Sequence, residues 1–213
     1  KFYNKHLHPD VMDFNNQEVY ENVFHSGKWA GIFQFTESGA QQFCTRVKPT
    51  NIIDVSAITS IFRPGPLSAK VDKNYLMSKN SPATIDYPCE EYKEVTEETY
   101  GYLIFQEQIA LLAHRLGKDL SLDEGNMLRK VLTKKGTGKG ASDKKKIEVK
   151  FIDGCVEHGL TEADGRQLWQ TFEYFSGYGF NKSHAAAYAL VAYQTAYMKA
   201  NHPVEFMAAS MTL

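Results

Sequence analysis

Gly177-Tyr-Gly-Phe-Asn-Lys-Ser-His-Ala-Ala-Ala-Tyr-Ala-Leu-Val-Ala-Tyr-Gln-Thr-Ala-Tyr-Met-Lys-Ala200 holds two kinds of chain. Gly177 to Ser183 is a short glycine-punctuated loop carrying an amide, an ammonium and a hydroxyl. From His184 the residues turn to alanine, tyrosine and leucine, until Pro203 closes the run. Ser183 stands where an N-cap belongs. It predicts a helix to about Asn201, roughly 26 Å long at 1.5 Å per residue. Gln194 and Lys199 are its main polar residues, and a helix apolar on nearly every side is expected to be buried. Its positive dipole end falls where Asn181, Lys182, Ser183 and His184 cluster. Open N–H groups, an ammonium and a dipole together suit an anion. A plain solvated cap is the alternative, since caps far outnumber phosphate sites.

Outward from this stretch the chain reads as helices. Asn15 or Asn16 caps a short one over Gln17–Phe24, ended by Gly27. Gly31-Ile-Phe-Gln-Phe35 is a strand or an extended linker. The next helix starts at Thr36-Glu-Ser-Gly39, with capping-box spacing between Ser38 and Gln41, and stops at Pro49. Ile52, Val55, Ile58, Ile61 and Phe62 recur at helical spacing and lead into Arg63-Pro-Gly-Pro66, a rigid turn that holds Arg63 at a helix end. Another helix covers Ser68 to Ser78, and residues 79–100 read as loop. Tyr102 to Leu116 carries Phe105, Ile109, Leu112 and Leu116 on one stripe, with Gly117 after it. Ser121-Leu-Asp-Glu124 is a capping box for a helix to Leu132 with Met127, Leu128, Val131 and Leu132 inward. Ser142 caps a helix with Ile147, Phe151 and Val156 inward, stopped by Gly159. Thr161 with Asp164 opens another to Ser176. The fold class is all-α, mainly helical, with seven to nine helices and little or no sheet, and no repeat at a fixed period.

The chain has 213 residues, 43% of them hydrophobic, enough for one large or two small cores. A net charge of −1 gives no global pull toward nucleic acid or membrane. That balance hides nine cations against two anions between Arg129 and Lys150, which leaves −8 for the rest. Cys44, Cys89 and Cys155 are too few and too far apart for a disulfide framework. No apolar run approaches the roughly 20 residues of a membrane span. The first residue is Lys1, and the last residues, from Pro203 to Leu213, begin a new helical pattern. This reads as a piece of a larger protein.

The chemistry is that of cations and amides. Gly136-Thr-Gly-Lys-Gly140 fails as a phosphate loop, because Thr133 and Gly140 stand where a glycine and a hydroxyl are required. No Asp-x-Asp pair suggests a two-metal centre, and no nucleophile has a base in supporting context. No catalytic residue and no metal ligand is assigned. His114, beside an apolar stripe, reads as a structural histidine. What remains is Arg63, Arg129, Lys130, Lys134, Lys135, Asn181, Lys182 and His184 at helix ends and loops, accompanied by Tyr178, Phe180, Tyr188 and Tyr193. Such a set suits gripping phosphates and stacking a base.

Tyr178-Gly-Phe-Asn-Lys-Ser-His-Ala-Ala-Ala-Tyr-Ala-Leu190, with Tyr193-Gln-Thr-Ala-Tyr197 and His202-Pro-Val-Glu-Phe-Met-Ala-Ala209, closely resembles the fingers region of the C-family bacterial replicative DNA polymerases, the DNA polymerase III alpha subunits. Gly31-Ile-Phe-Gln-Phe-Thr-Glu-Ser-Gly39, Phe62-Arg-Pro-Gly-Pro-Leu67, Thr99-Tyr-Gly101 and Phe105-Gln-Glu-Gln-Ile109 have counterparts there in the same order. The resemblance runs from about residue 15 to the end.

The resemblance implies a helical fingers subdomain that closes over an incoming deoxynucleoside triphosphate and the template. Residues 1–30 would connect palm to fingers, and residues 31–213 would form the fingers, truncated at both ends. Leu128-Arg-Lys-Val-Leu-Thr-Lys-Lys135 corresponds to the family's Leu-Arg-Arg-Ala-Met-Gly-Lys-Lys. Lys130 replaces an arginine there, losing its bidentate fork, and Thr133 replaces a glycine. The expected nucleotide- or phosphate-binding residues are Arg63, Arg129, Lys130, Lys134, Lys135, Asn181, Lys182, Ser183 and His184. Tyr178, Phe180, Lys144 and Lys145 are expected against DNA or bases. No cofactor is expected in this stretch, and Mg belongs to the palm outside it. The partners implied are primer–template DNA, deoxynucleoside triphosphates and replisome subunits such as a sliding clamp bound elsewhere, in the cytoplasm at the nucleoid, with no membrane. A free-standing helical nucleic-acid-binding module without catalysis is the alternative, and a purely structural scaffold the third reading.

Overall fold

The computed structural model describes residues 8–68, 70–133, 139–176 and 179–212, with the side chains of 129–131, 133 and 139–141 outside the description. Among the described residues there is no β-strand, and Phe105 and Phe180 form an isolated parallel bridge. The all-α expectation holds. Among the described residues nine α-helices have ten residues or more and three are shorter, and two of the short ones, Pro64–Ser68 and Glu90–Thr96, fall where the sequence reads as turn and loop. The chain forms two compact units, residues 1–76 with 183–213, and residues 77–182.

In the first unit α1 (Gln17–Val19) starts at Asn16, whose side chain accepts from the Glu18 N–H, and continues as a π-helical turn over Tyr20–His25. Gly27, at φ +72°, ends it. Residues 29–35 are turns, not a strand: the Ile32 N–H bonds to Trp29 O and the Phe35 N–H to Ile32 O. Ile32 and Phe35 point inward, with Trp29 stacked on Phe35 at 5.2 Å and Phe24 edge-on to Phe35. The Ser38–Gln41 capping box does not form. Helix α2 (Ser38–Val47) has Glu37 at its N-cap position, and Gln41 Nε2 donates to Phe35 O.

Helix α3 (Ile52–Ile61) is capped by Asn51, whose side chain accepts from the Asp54 N–H at 2.8 Å. Asp54 is buried in return, receiving the Thr50 N–H and the Tyr75 hydroxyl. Arg63-Pro-Gly-Pro66 is not a bare turn, because Pro64 opens a short helix α4 (Pro64–Ser68), a first position that needs no N–H from proline. Helix α5 (Val71–Asn80) follows.

Helix α11 (Lys182–Asn201) begins at Lys182, so Ser183 lies inside its first turn and is not its N-cap. The helix is also not buried all round. Ala185, Ala189, Ala192, Tyr193 and Ala196 make one buried face, while Ala186, Ala187 and Val191 are exposed. Small alanines let the backbone approach its neighbours. Tyr193 anchors the face, 5.3 Å from the Tyr20 ring and donating to Asp13 O. Lys199 crosses to the carbonyls of Lys28 and Ala30, and burial lowers its pKa. Helix α12 (Pro203–Thr212) buries no residue.

The second unit holds α6 (Glu90–Thr96), α7 (Gln106–Leu116), α8 (Leu122–Thr133), α9 (Lys139–Glu157) and α10 (Glu162–Phe175). Residues 79–100 are therefore only partly loop, and Tyr92 and Val95 of α6 belong to the core. That core is filled by Leu112, Leu116, Leu128, Phe151, Trp169 and Phe172 among others. Glycines set how closely the helices approach. A Cβ on Gly125 would lie 2.5 Å from Ala110 O, and one on Gly154 would lie 2.1 Å from Leu116 O. Both contacts are with backbone, which cannot swing aside as a side chain does. Two expected core residues, Met127 and Val156, are largely exposed. Ser142 does not cap α9, because that helix starts three residues earlier at Lys139. The capping boxes at Ser121–Glu124 and Thr161–Asp164 do form. His114 is structural, 2.7 Å from Leu120 O.

Candidate functional site

The two motif segments in the second unit, Ile104-Phe-Gln-Glu-Gln108 and Gly179-Phe-Asn-Lys182, lie side by side. The Phe180 N–H donates to Ile104 O at 3.1 Å and the Gln106 N–H to Phe180 O at 2.8 Å. Gln106 Nε2 adds a bond to Gly179 O at 3.1 Å. This pairing explains why α7 starts at Gln106 rather than Tyr102, because residues 104–105 stay extended to meet the second segment. Gly179 is required there: a Cβ would fall 2.5 Å from the Phe175 ring.

The three polar residues of the first segment divide the work. Gln108 is buried, and its carbonyl accepts from the N–H groups of Ile104 and Phe105 at 2.8 and 2.9 Å. Its amide donates to Val95 O and to Thr99 Oγ1. A buried amide so satisfied fixes the turn around it. Gln106 binds the backbone of the second segment. Glu107, half-buried, binds its polar end: Oε1 accepts from Asn181 Nδ2 and Oε2 from the Lys182 N–H, each at 2.8 Å. The carboxylate therefore sits on the N-terminus of α11, where a dipole and unsatisfied N–H groups favour negative charge. The Lys182 ammonium pairs with Glu98 and lies 5.6 Å from the centre of the Phe105 ring.

Glu107 thus holds both Asn181 and Lys182 and puts an internal carboxylate at the helix end. Phe180 is half-buried within the paired segments. Ser183 and His184 are exposed in the first turn of α11 within the first unit, where the His184 ring lies 4.2 Å from that of Tyr188. Tyr188 in turn is 5.3 Å from Phe33, which is 38% exposed, so three rings form one accessible aromatic group. Arg63, in the same unit, is half-buried, donates from Nε to Ser60 O at 2.9 Å, and has its pKa lowered by burial. Lys144 pairs with Glu173 at 2.5 Å and Lys145 with Glu148 at 3.1 Å. Arg129 and Lys130 lie on α8 with side chains outside the described set, and Lys134, Lys135 and Tyr178 lie outside the described residues altogether.

Glu98, Gln106, Glu107 and Gln108 were not identified as site residues from sequence. Their motif was visible, but nothing in it says that a carboxylate will meet a helix end 75 residues further on. Among the described residues no group of three or more His, Cys, Asp or Glu side chains is placed to hold a metal ion, and no helix is long and apolar enough to cross a membrane.

Residues 1–159 match the family described as bacterial DNA polymerase III alpha subunit finger domain. Three curated relatives, each named DNA polymerase III subunit alpha, are similar over most of this chain. That of Campylobacter jejuni is 37% identical over 212 residues, covering 100% of this chain and 17% of the relative. That of Borreliella burgdorferi is 39% identical over 191 residues, 90% of this chain and 16% of the relative. That of Aquifex aeolicus is 35% identical over 201 residues, 94% of this chain and 17% of the relative. The chain therefore spans about one sixth of the length of the relatives it matches.

Proposed function

From the membership of this chain in the bacterial DNA polymerase III alpha subunit finger domain family, we propose that it forms the fingers of a template-directed DNA polymerase and binds the incoming deoxynucleoside triphosphate and primer–template. The observation that carries the reading is the family match across residues 1–159. Phosphoryl transfer asks the protein mainly to position reactants and neutralise charge. In this reading Arg63, Arg129, Lys130, Lys134, Lys135 and Lys182 supply cations for phosphates. Asn181, Ser183 and His184 are assigned to the nucleotide as polar side chains around the start of α11. The exposed rings of Phe33 and His184, with half-buried Tyr188 between them, offer faces on which a base can stack. Tyr178, Phe180, Lys144 and Lys145 are assigned to DNA.

Residues 1–30 connect to a palm in the longer protein, and residues 31–213 act as the fingers. Mg is assigned to that palm in this reading, as in the family the chain belongs to. A divalent ion there would stabilise the attacking and leaving oxygens. The remaining partners are replisome subunits, including a sliding clamp, bound through other regions in the cytoplasm at the nucleoid.

Nucleotide kinetics of the full-length subunit test the reading. Arg129→Ala and Lys182→Ala should each raise KM for the incoming nucleotide about tenfold, the loss of one charge-assisted phosphate contact. The thermal midpoint should stay within a few degrees of wild type. Unchanged nucleotide kinetics in both variants would overturn the assignment. Salt-sensitive DNA binding indifferent to nucleotide would favour a plain nucleic-acid-binding module.

A further inference from the structure

Helix α11 has two places to begin. Asn181 and Ser183 both have side chains that suit an N-cap, and the helix takes the earlier start, at Lys182 after Asn181. The difference is made from outside the segment. Glu107 takes the Lys182 N–H with one oxygen and Asn181 Nδ2 with the other, both at 2.8 Å. Gln106 and Ile104 meanwhile hold Gly179 and Phe180 by their backbone. With Lys182 wound into the helix, its side chain is directed to Glu98 and across the Phe105 ring. A start at His184, after a Ser183 cap, would leave Lys182 in the loop, free to swing.

We propose that Glu107 is a positioning residue: it selects the earlier helix start and so sets the direction of Lys182 and the placing of Asn181. The proposal rests on the nucleotide-binding reading above for its consequence and on the geometry alone for its cause. Glu107 need not touch nucleotide to act, since it works through the two residues it holds.

Steady-state single-nucleotide incorporation by the full-length subunit tests the consequence. Glu107→Ala should raise KM for nucleotide about tenfold while kcat and primer–template affinity stay within about twofold, because charge-assisted hydrogen bonds are lost away from the reacting atoms. Glu107→Gln keeps one acceptor oxygen for the Lys182 N–H and can pair its amide with a flipped Asn181. It should recover KM to within about threefold of wild type. An unchanged KM in Glu107→Ala overturns the proposal. So does a joint fall of kcat, DNA affinity and melting temperature that Glu107→Gln does not relieve, since that pattern belongs to a merely structural residue.

Amide hydrogen exchange of the same full-length proteins tests the cause without relying on activity. The Lys182 amide should exchange about tenfold faster in Glu107→Ala as the carboxylate that accepts its N–H disappears. Unchanged exchange overturns the proposal even if nucleotide kinetics move. A wild-type protein that incorporates no nucleotide would instead defeat the polymerase reading and leave the exchange result to decide. If Glu107→Ala does not fold, Asn181→Ala removes one of the two held groups and should give about a threefold rise in KM, with no rise counting against the proposal.

Discussion

Helices α10 and α11 begin with the same need for a carboxylate at the N-terminus, and they meet it from different distances. At α10 the Asp164 side chain accepts the Thr161 N–H at 3.0 Å, and Thr161 Oγ1 accepts the Asp164 N–H at 3.1 Å. Everything required lies within three residues. At α11 the carboxylate is Glu107, 75 residues earlier in the chain. A local box stabilises its own helix wherever that helix goes. A remote carboxylate stabilises the helix only when another element has already been placed, so it ties the start of α11 to the folding of α7. The second arrangement is also the one found among the candidate site residues, where position matters more than helix content.

The largest expected effect tests whether remote backbone contacts carry the second unit. Gly154→Ala would place a Cβ 2.1 Å from Leu116 O and 2.3 Å from Lys118 N, and so would push α9 from the end of α7. It would also strain the bond from Lys118 N–H to Lys150 O, now 2.9 Å. Overpacking of this kind should cost about 3 kcal/mol, read from denaturant unfolding. A neutral result would show that α9 shifts at little cost.

Next come the two caps themselves. Glu107→Ala should destabilise by about 2 kcal/mol, because it removes the charged acceptor of the part-buried Lys182 N–H and of the exposed Asn181 amide. Thr161→Ala should cost about 1 kcal/mol, the usual value for a cap replaced by alanine. Chemical unfolding of both variants decides it, and the reverse order would break the distinction between local and remote capping.

The smallest effect is the response to acid. Hydrogen bonds from the Thr161 side chain and backbone hold Asp164 below its ordinary 3.8, and those from Ser121 and Lys150 hold Glu124 below its ordinary 4.5. Their stabilisation is complete above those ordinary values and is lost as pH falls through the lower folded values. Thermal midpoints measured from pH 7 down to pH 3 should therefore fall, and Thr161→Ala should flatten the slope. An equal slope in wild type and Thr161→Ala would show that the Asp164 bond contributes nothing to the acid response.

Helix content was legible because each long helix carries an apolar stripe, and the boxes at Ser121 and Thr161 were legible because spacing alone defines them. Misreadings fell where a remote group intervened. Ser38 and Ser183 have the side chains of caps, but Glu37 takes the cap position of α2 and α11 starts two residues earlier, at Lys182, where Glu107 holds its first N–H. Met127 and Val156 matched the helical period yet lie on exposed faces, since periodicity gives a stripe and not its width. The candidate cations were visible as residue types. Nothing in the sequence pairs them with their acidic counterparts, Glu98 with Lys182 and Glu173 with Lys144.

By itself the sequence determined the all-α class, the long helices, two locally closed caps and a set of motifs ordered as in a polymerase fingers region. Those follow from interactions within a few residues, which spacing encodes directly. The tertiary structure alone decided that Phe105-Gln-Glu-Gln108 pairs with Gly179-Phe-Asn-Lys182, that Glu107 sits on the end of α11, and that the alanine-rich helix buries only one face. Each of these depends on which surfaces meet after the helices pack, and a carboxylate 75 residues away from its helix end has no local signature.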